Sequence, residues 1–198
     1  MSPRSVFLNV PYDKPFQPIF LAYVVGVIGY GLIPRASLEI QGSTHRINHI
    51  VELLHSCEFS IHDMSRIDVP RFNMPFELGL AYHHSLSLAD KHSCFIFAGD
   101  YKGFEDRLSD LKGIDIQVHD NDISKVFSRL CAAFVAQDLV PTVIDMKAVY
   151  ELLTDSLPGV LKNAGSDSLF HPMVFSELVF TARAFWNSRP VKTRSRHA

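Results

Sequence analysis

The run Val6-Phe7-Leu8-Asn9-Val10-Pro11-Tyr12-Asp13, with the uncharged stretch from Pro15 to Pro34 that follows it, decides the fold. Three apolar residues ended by Asn, Pro and Asp read as a short strand leaving through a turn-rich loop. The next stretch is apolar enough to suggest a membrane span. However, Gln17, Pro18, Gly26, Gly29 and Gly31 interrupt it, and its unbroken apolar part falls short of the roughly 20 residues a spanning helix requires. It reads instead as a buried helix that begins near Pro18 and runs to about Tyr30. Gly31 supplies the left-handed residue that ends it, and a short second strand follows from Leu32 to Ala36.

Further along the chain the same alternation continues. Gly42-Ser43-Thr44 is a capping sequence, and Ile47, Ile50, Val51 and Leu54 fall at helical spacing, which predicts an amphipathic helix from about Thr44 to Ser56. A third strand spans Phe59 to His62. Asn73 or Met74 then opens a helix to about Leu88, with Pro75 in its first turn. Cys94 to Ala98 is a fourth strand, Phe104 to Leu111 a short helix and Ile114 to Val118 a fifth strand. Asn121 or Asp122 caps a helix reaching about Gln137. Strands alternating with helices predict an α/β doubly wound domain over residues 1–138, built on a mainly five-stranded parallel sheet. After Pro141 two helical stretches, about Asp145 to Leu161 and Met173 to Asn187, make a C-terminal helical appendage over 139–188. The basic tail 189–198 is expected to fray.

Composition narrows the functions. The 198 residues are 47% hydrophobic and 20% charged with a net charge of -2, which excludes a disordered chain, a coiled coil and a strongly electrostatic nucleic-acid binder. Cys57, Cys94 and Cys131 are far apart, share no CxxC spacing and lie in apolar surroundings, as expected of a reduced, cytoplasmic protein. The N-terminus carries no export signal, and no membrane partner is expected.

In an open parallel sheet, ligands bind beyond the carboxyl ends of the strands where the strand order reverses, so the loops there hold the candidate residues. They are Asn9, Tyr12 and Asp13 after the first strand, and Asp63, Ser65, Arg66 and Asp68 after the third, leading through Arg71 and Asn73 to Glu77. Arg46 lies in the first turn of a helix whose free N–H groups face the same edge, which suits phosphate. Asn9, Tyr12, Arg46, Ser65, Arg66 and Asn73 are the expected substrate contacts. For Arg66 the plainer alternative is an ion pair with Asp63 or Asp68. Glu77 has two readings. A first-turn carboxylate favours the helix dipole and can reach back to the N-cap N–H. A carboxylate fixed on a rigid element beside a pocket can also attack or stabilise a sugar C1′ as its bond to a base breaks.

Other constellations carry less. His45 and His49 are four apart but have no identifiable third ligand, so no metal is expected. Ser65, His62 and Asp63 contain the members of a triad, yet neighbours on one strand point to opposite faces, and no Gly-x-Ser-x-Gly elbow exists. No P-loop or Gly-x-Gly-x-x-Gly fingerprint follows the first strand.

The segments Ile61-His62-Asp63-Met64-Ser65-Arg66 and Phe72-Asn73-Met74-Pro75-Phe76-Glu77-Leu78-Gly79-Leu80-Ala81 resemble the strand, loop and Glu-Leu/Ile-Gly helix of nucleoside 2-deoxyribosyltransferases. Ile47 to Ser56, Phe59 to Ser65 and Glu77 are also similar to the helix, strand and functional Glu of Toll/interleukin-1 receptor-like domains. The run from Val6 to Asp13, continued by Arg66 to Gly79, looks like a bacterial group of uncharacterised nucleotide-binding-like proteins. The resemblance implies a flavodoxin-like fold with Glu77 as the catalytic carboxylate. It also implies Asp63 as a partner for ribose or for orienting Glu77, and Tyr12 as the aromatic residue of the first loop. Arg71-Phe72-Asn73 stands where the transferases carry an Asp-Gly segment.

The function it implies is cleavage or exchange of an N-glycosidic bond in a nucleotide, with NAD favoured over a deoxynucleoside. NAD would then be a substrate, no bound cofactor being expected. The alternatives are a non-catalytic nucleotide-sensing module and a protein-interaction module. Many proteins of these families associate, so a homo-oligomer is expected, while the charge balance disfavours nucleic acid.

Overall fold

A computed structural model describes residues 4–39, 45–66, 72–87 and 91–189. The chain forms β1 (Ser5–Asn9), α1 (Gln17–Gly29), β2 (Ile33–Ala36), α2 (Arg46–His55), β3 (Phe59–Asp63), α3 (Asn73–Ser87), β4 (Ser93–Ala98), α4 (Tyr101–Arg107), β5 (Ile116–Val118), α5 (Ile123–Ala133), α6 (Val143–Asn163) and α7 (Pro172–Asn187). The five strands form one all-parallel sheet in the order β2-β1-β3-β4-β5. The chain winds outward from β1 to β2 and then returns to β3 on the other side, so the order reverses between β1 and β3. The architecture is the doubly wound α/β fold that the sequence predicts, with the C-terminal helices added.

Helix α1 explains the membrane-like stretch. Every residue from Ile19 to Gly29 is buried, because the sheet covers one side and α5, α6 and α7 cover the rest. Among the described residues no helix is long and apolar enough to cross a membrane. Gly31 has φ +71, and its N–H meets the Ile28 carbonyl at 2.8 Å, closing the helix with the left-handed residue that glycine adopts without penalty. Residues Met146, Val149, Leu153, Val174, Phe175 and Leu178 of the C-terminal helices lie in one buried cluster with Phe20, Tyr23 and Leu130. The expected appendage therefore shares the core of the α/β layers. Arg189, placed by the sequence in a fraying tail, is instead held by Asp145 and lies over the Trp186 ring at 5.1 Å; residues 190–198 fall outside the described residues.

Several boundaries differ for local reasons. The amphipathic stripe of α2 is Ile50, Leu53 and Leu54, while Ile47 is 41% exposed. The expected cap at 42–44 lies outside the described residues, and His45 occupies the N-cap without a side-chain cap bond. The short helix begins earlier than expected, at Tyr101, because Asp100 caps it by accepting the Gly103 N–H. It ends at Arg107 and is followed by a separate 3-10 turn, Ser109–Leu111.

Candidate functional site at the sheet switch point

Asn9 and His62 pair across β1 and β3, so both side chains leave the sheet on the same face, towards α3. The Asn9 amide donates one hydrogen to His62 Nδ1 and the other to the Met74 carbonyl, each at 3.0 Å. Both amide hydrogens are thereby spent on tying the strand end to the start of α3. Asn9, expected among the substrate contacts, is 4% exposed and holds this junction. His62 is fully buried, and its Nε2 has no partner among the described residues. Burial, with a smaller effect of His92, pushes its imidazole down to about 3, so the ring is neutral.

Asp63 leaves β3 on the opposite face. One carboxylate oxygen accepts the Ser65 N–H at 2.9 Å and the Ser65 hydroxyl at 2.5 Å. The other accepts the Tyr23 phenol at 2.7 Å and lies 2.9 Å from His119 Nε2. His119 Nδ1 accepts the Asn121 N–H at 3.1 Å, which leaves the Nε2 proton for Asp63. Burial alone would raise this carboxyl, but the bonds from His119, Ser65 and Tyr23 outweigh it and hold Asp63 below its ordinary value. Asp63, expected to meet ribose or to orient Glu77, is held in this network on the α1 side. All four of its lone-pair directions are occupied and it is 0% exposed, so its work is to fix the loop after β3. Ser65 is spent in the same network. His62 and Asp63 point to opposite faces, and His119 offers Ser65 no free acceptor nitrogen, so these residues make no nucleophilic triad.

Glu77 is the fifth residue of α3, just past the first turn in which the sequence reading puts it, because the helix begins at the earlier of the two expected starts, Asn73. It therefore does not serve as a first-turn cap. It is 6% exposed, and Asn73 Nδ2 donates to its Oε1 at a long 3.5 Å. Burial raises the carboxyl above its ordinary value, against the smaller opposing effects of Asn73 and the Arg46 charge. Tyr12 is in the same electrostatic neighbourhood. Burial raises its phenol far above the ordinary value, the Ser37 hydroxyl opposes this, and Glu77 and Arg46 act on it with opposite signs. The Tyr12 hydroxyl lies 3.3 Å from Ser37 Oγ and 3.5 Å from the Leu8 carbonyl, while Arg46 donates to the Ser37 carbonyl at 3.2 Å.

Arg66 pairs with Asp13 at 3.8 Å rather than with Asp63, because Asp63 already has its four partners; its Nε is buried with no partner among the described residues. Asp68 and Arg71 lie outside the described residues.

The structure thus divides the predicted residues. Glu77 and Asn73 of α3 share one electrostatic neighbourhood with Arg46 of α2 and the Tyr12 hydroxyl, while Asp63 and Ser65 belong to a hydrogen-bonded floor on the α1 side. Sequence reasoning misses Tyr23 and His119. His119 directly follows a predicted strand, a position that itself marks the ligand edge of such a sheet. Tyr23 is hidden in a helix that reads as uniformly apolar. Among the described residues no group of three or more His, Cys, Asp or Glu side chains could hold a metal ion. No family model matches the chain, and no curated protein matches it.

Proposed function

We propose that the chain binds a nucleotide at the β1–β3 switch point and cleaves or exchanges its N-glycosidic bond, with Glu77 as the carboxylate. The observation that carries this reading is the burial of Glu77 at the ligand edge, beside Arg46 and Tyr12, where among the described residues a long bond from Asn73 is its one hydrogen bond. A nearly buried carboxylate whose ionised form burial disfavours is expensive to maintain for structure alone, whereas it suits stabilisation of positive charge on a sugar. As the bond between C1′ and the base nitrogen breaks, its electron pair leaves with the base and the ribose gains oxocarbenium character. Ionised Glu77 stabilises that charge or bonds to C1′, and water or a second base then displaces it. NAD is favoured because its cationic nicotinamide ring leaves as a neutral molecule without a general acid, and Asp63, committed to its four bonds, is not free to act as one. Arg46 is assigned to the phosphate.

A non-catalytic nucleotide sensor is the second reading. The bonds that lock Asp63, Ser65 and Asn9 favour it, since they leave few polar groups to move during a reaction. Release of a free base from NAD or a deoxynucleoside by the wild type, and its loss in Glu77→Gln, supports the enzyme. A stoichiometric complex without turnover supports the sensor.

A further inference from the structure

The α6–α7 connection reaches the candidate site by two routes. Phe170, in the turn between the helices, lies with its ring centroid 5.4 Å from that of Tyr12 and 5.3 Å from that of Phe20. Tyr12 also meets Phe20 edge-on at 6.3 Å, and Phe20 lies 6.0 Å from Phe175 of α7. Tyr12 is therefore held between the sheet-covering helix and the hairpin. By the second route, α7 packs against the 3-10 turn Ser37–Glu39. Ser37 meets the Tyr12 hydroxyl through its Oγ and receives Arg46 at its carbonyl.

The hairpin is itself firmly anchored. Trp186 Nε1 donates to the Val25 carbonyl at 2.9 Å, and the buried α7 residues Val174, Phe175 and Leu178 belong to the core around α1. An aromatic residue carried on such a support can fix the place of its neighbour's ring, since packed interiors transmit small shifts.

We propose that the α6–α7 hairpin is a built part of the switch-point site and that Phe170 is a positioning residue, holding Tyr12 beside Glu77 and Arg46. What the site binds rests on the reading given under Proposed function, while the positioning itself rests on the packing. Phe170 acts through Tyr12 and not on a reacting atom, so its removal weakens binding rather than the bond-breaking step.

Labelling with 3-fluorotyrosine gives six reporters, of which the Tyr12 resonance is assigned by Tyr12→Phe. In Phe170→Ala, and to a smaller extent in Phe170→Leu, that resonance moves and its hydroxyl titrates at lower pH as water reaches it. Phe170→Tyr keeps the wild-type behaviour. Leu178→Ala removes a fully buried side chain from the same helix core and leaves the Tyr12 resonance in place. With NAD as the probe, Phe170→Ala weakens binding about tenfold and Phe170→Tyr restores it. An unmoved Tyr12 resonance in folded Phe170→Ala and Phe170→Leu overturns the proposal. So does an equal movement in Leu178→Ala, or unchanged NAD affinity in Phe170→Ala where the wild type binds. If the wild type binds no NAD while the Tyr12 resonance still moves, the positioning stands and the nucleotide reading alone fails.

Discussion

Tyr23, in the middle of α1, donates its phenol hydrogen to Asp63 at the end of β3 over 2.7 Å, so a helix that is otherwise apolar is bonded to the carboxylate beside the switch point. The bond fixes the height of α1 over the sheet. It also leaves that carboxylate with no free acceptor, which separates the floor of the site from the part assigned to chemistry.

Tyr23→Phe removes one charge-assisted bond without changing ring volume and costs about 2 kcal/mol of stability, measured by chemical denaturation. The Asp63 carboxyl titrates lower in the folded protein than in the unfolded chain. Its contribution is therefore full above the ordinary carboxylate range and is lost as the pH falls through that range towards the lower folded value. Asp63→Asn destabilises at pH 7, and the difference from wild type narrows on acidification. A difference that stays constant down to pH 3 contradicts the bonding described for Asp63.

Glu77 has the opposite linkage. Burial raises its carboxyl, so the folded state holds the proton more tightly than the unfolded chain, and stability falls as the pH rises from the ordinary carboxylate value to the folded one. Glu77→Gln accordingly melts higher than wild type at pH 7, and the gain disappears at a pH below the ordinary carboxylate range. A variant that is less stable at pH 7 would show that the carboxylate serves the fold.

His62 makes the acid side steeper. Its imidazole is pushed down to about 3 and stays neutral in the fold, whereas in the unfolded chain it takes up a proton near its ordinary value. Stability is thus lost as the pH falls from the ordinary value towards 3, on the order of 4 kcal/mol in total from this one residue. His62→Gln keeps an acceptor for Asn9 and gives a shallower dependence of unfolding free energy on pH between 6.5 and 4.5. Equal slopes in the two proteins would contradict a buried neutral ring.

The seat of the C-terminal hairpin is tested at Gly29. A Cβ there would meet Trp186 Cζ2 at 2.7 Å and Pro141 at 3.2 Å, and the indole has little freedom to yield. Gly29→Ala is expected to lower stability by about 1–2 kcal/mol, despite the better helix propensity of alanine. A more stable Gly29→Ala protein would show that α7 does not press on α1 as described.

The order of elements was legible because it rests on local signals: Pro11 and Asp13 end a strand, Gly31 ends α1, and Asp122 caps α5 by accepting the Lys125 N–H. The limits of α4 were not, since Leu108 leaves the helical conformation within a run of similar polarity. The site was legible only as a set of loops. Sequence placed Asp63 near Glu77, whereas strand alternation and the partners Tyr23 and His119 turn it to the other face. Those partners come from α1 and from beyond β5, and only the packed sheet brings them together. The contact of Phe170 with Tyr12 links residues far apart in the chain, so no local pattern announces it.

The most direct test incubates purified wild-type protein and Glu77→Gln, each shown to be folded, with NAD and a panel of nucleosides and nucleotides, and identifies the small products by mass spectrometry. The account predicts that wild type releases free base, nicotinamide foremost, and that Glu77→Gln lowers the rate at least a hundredfold, an effect of about 3 kcal/mol on the barrier. Base release by Glu77→Gln at the wild-type rate, or no product from any member of the panel with wild type, contradicts it.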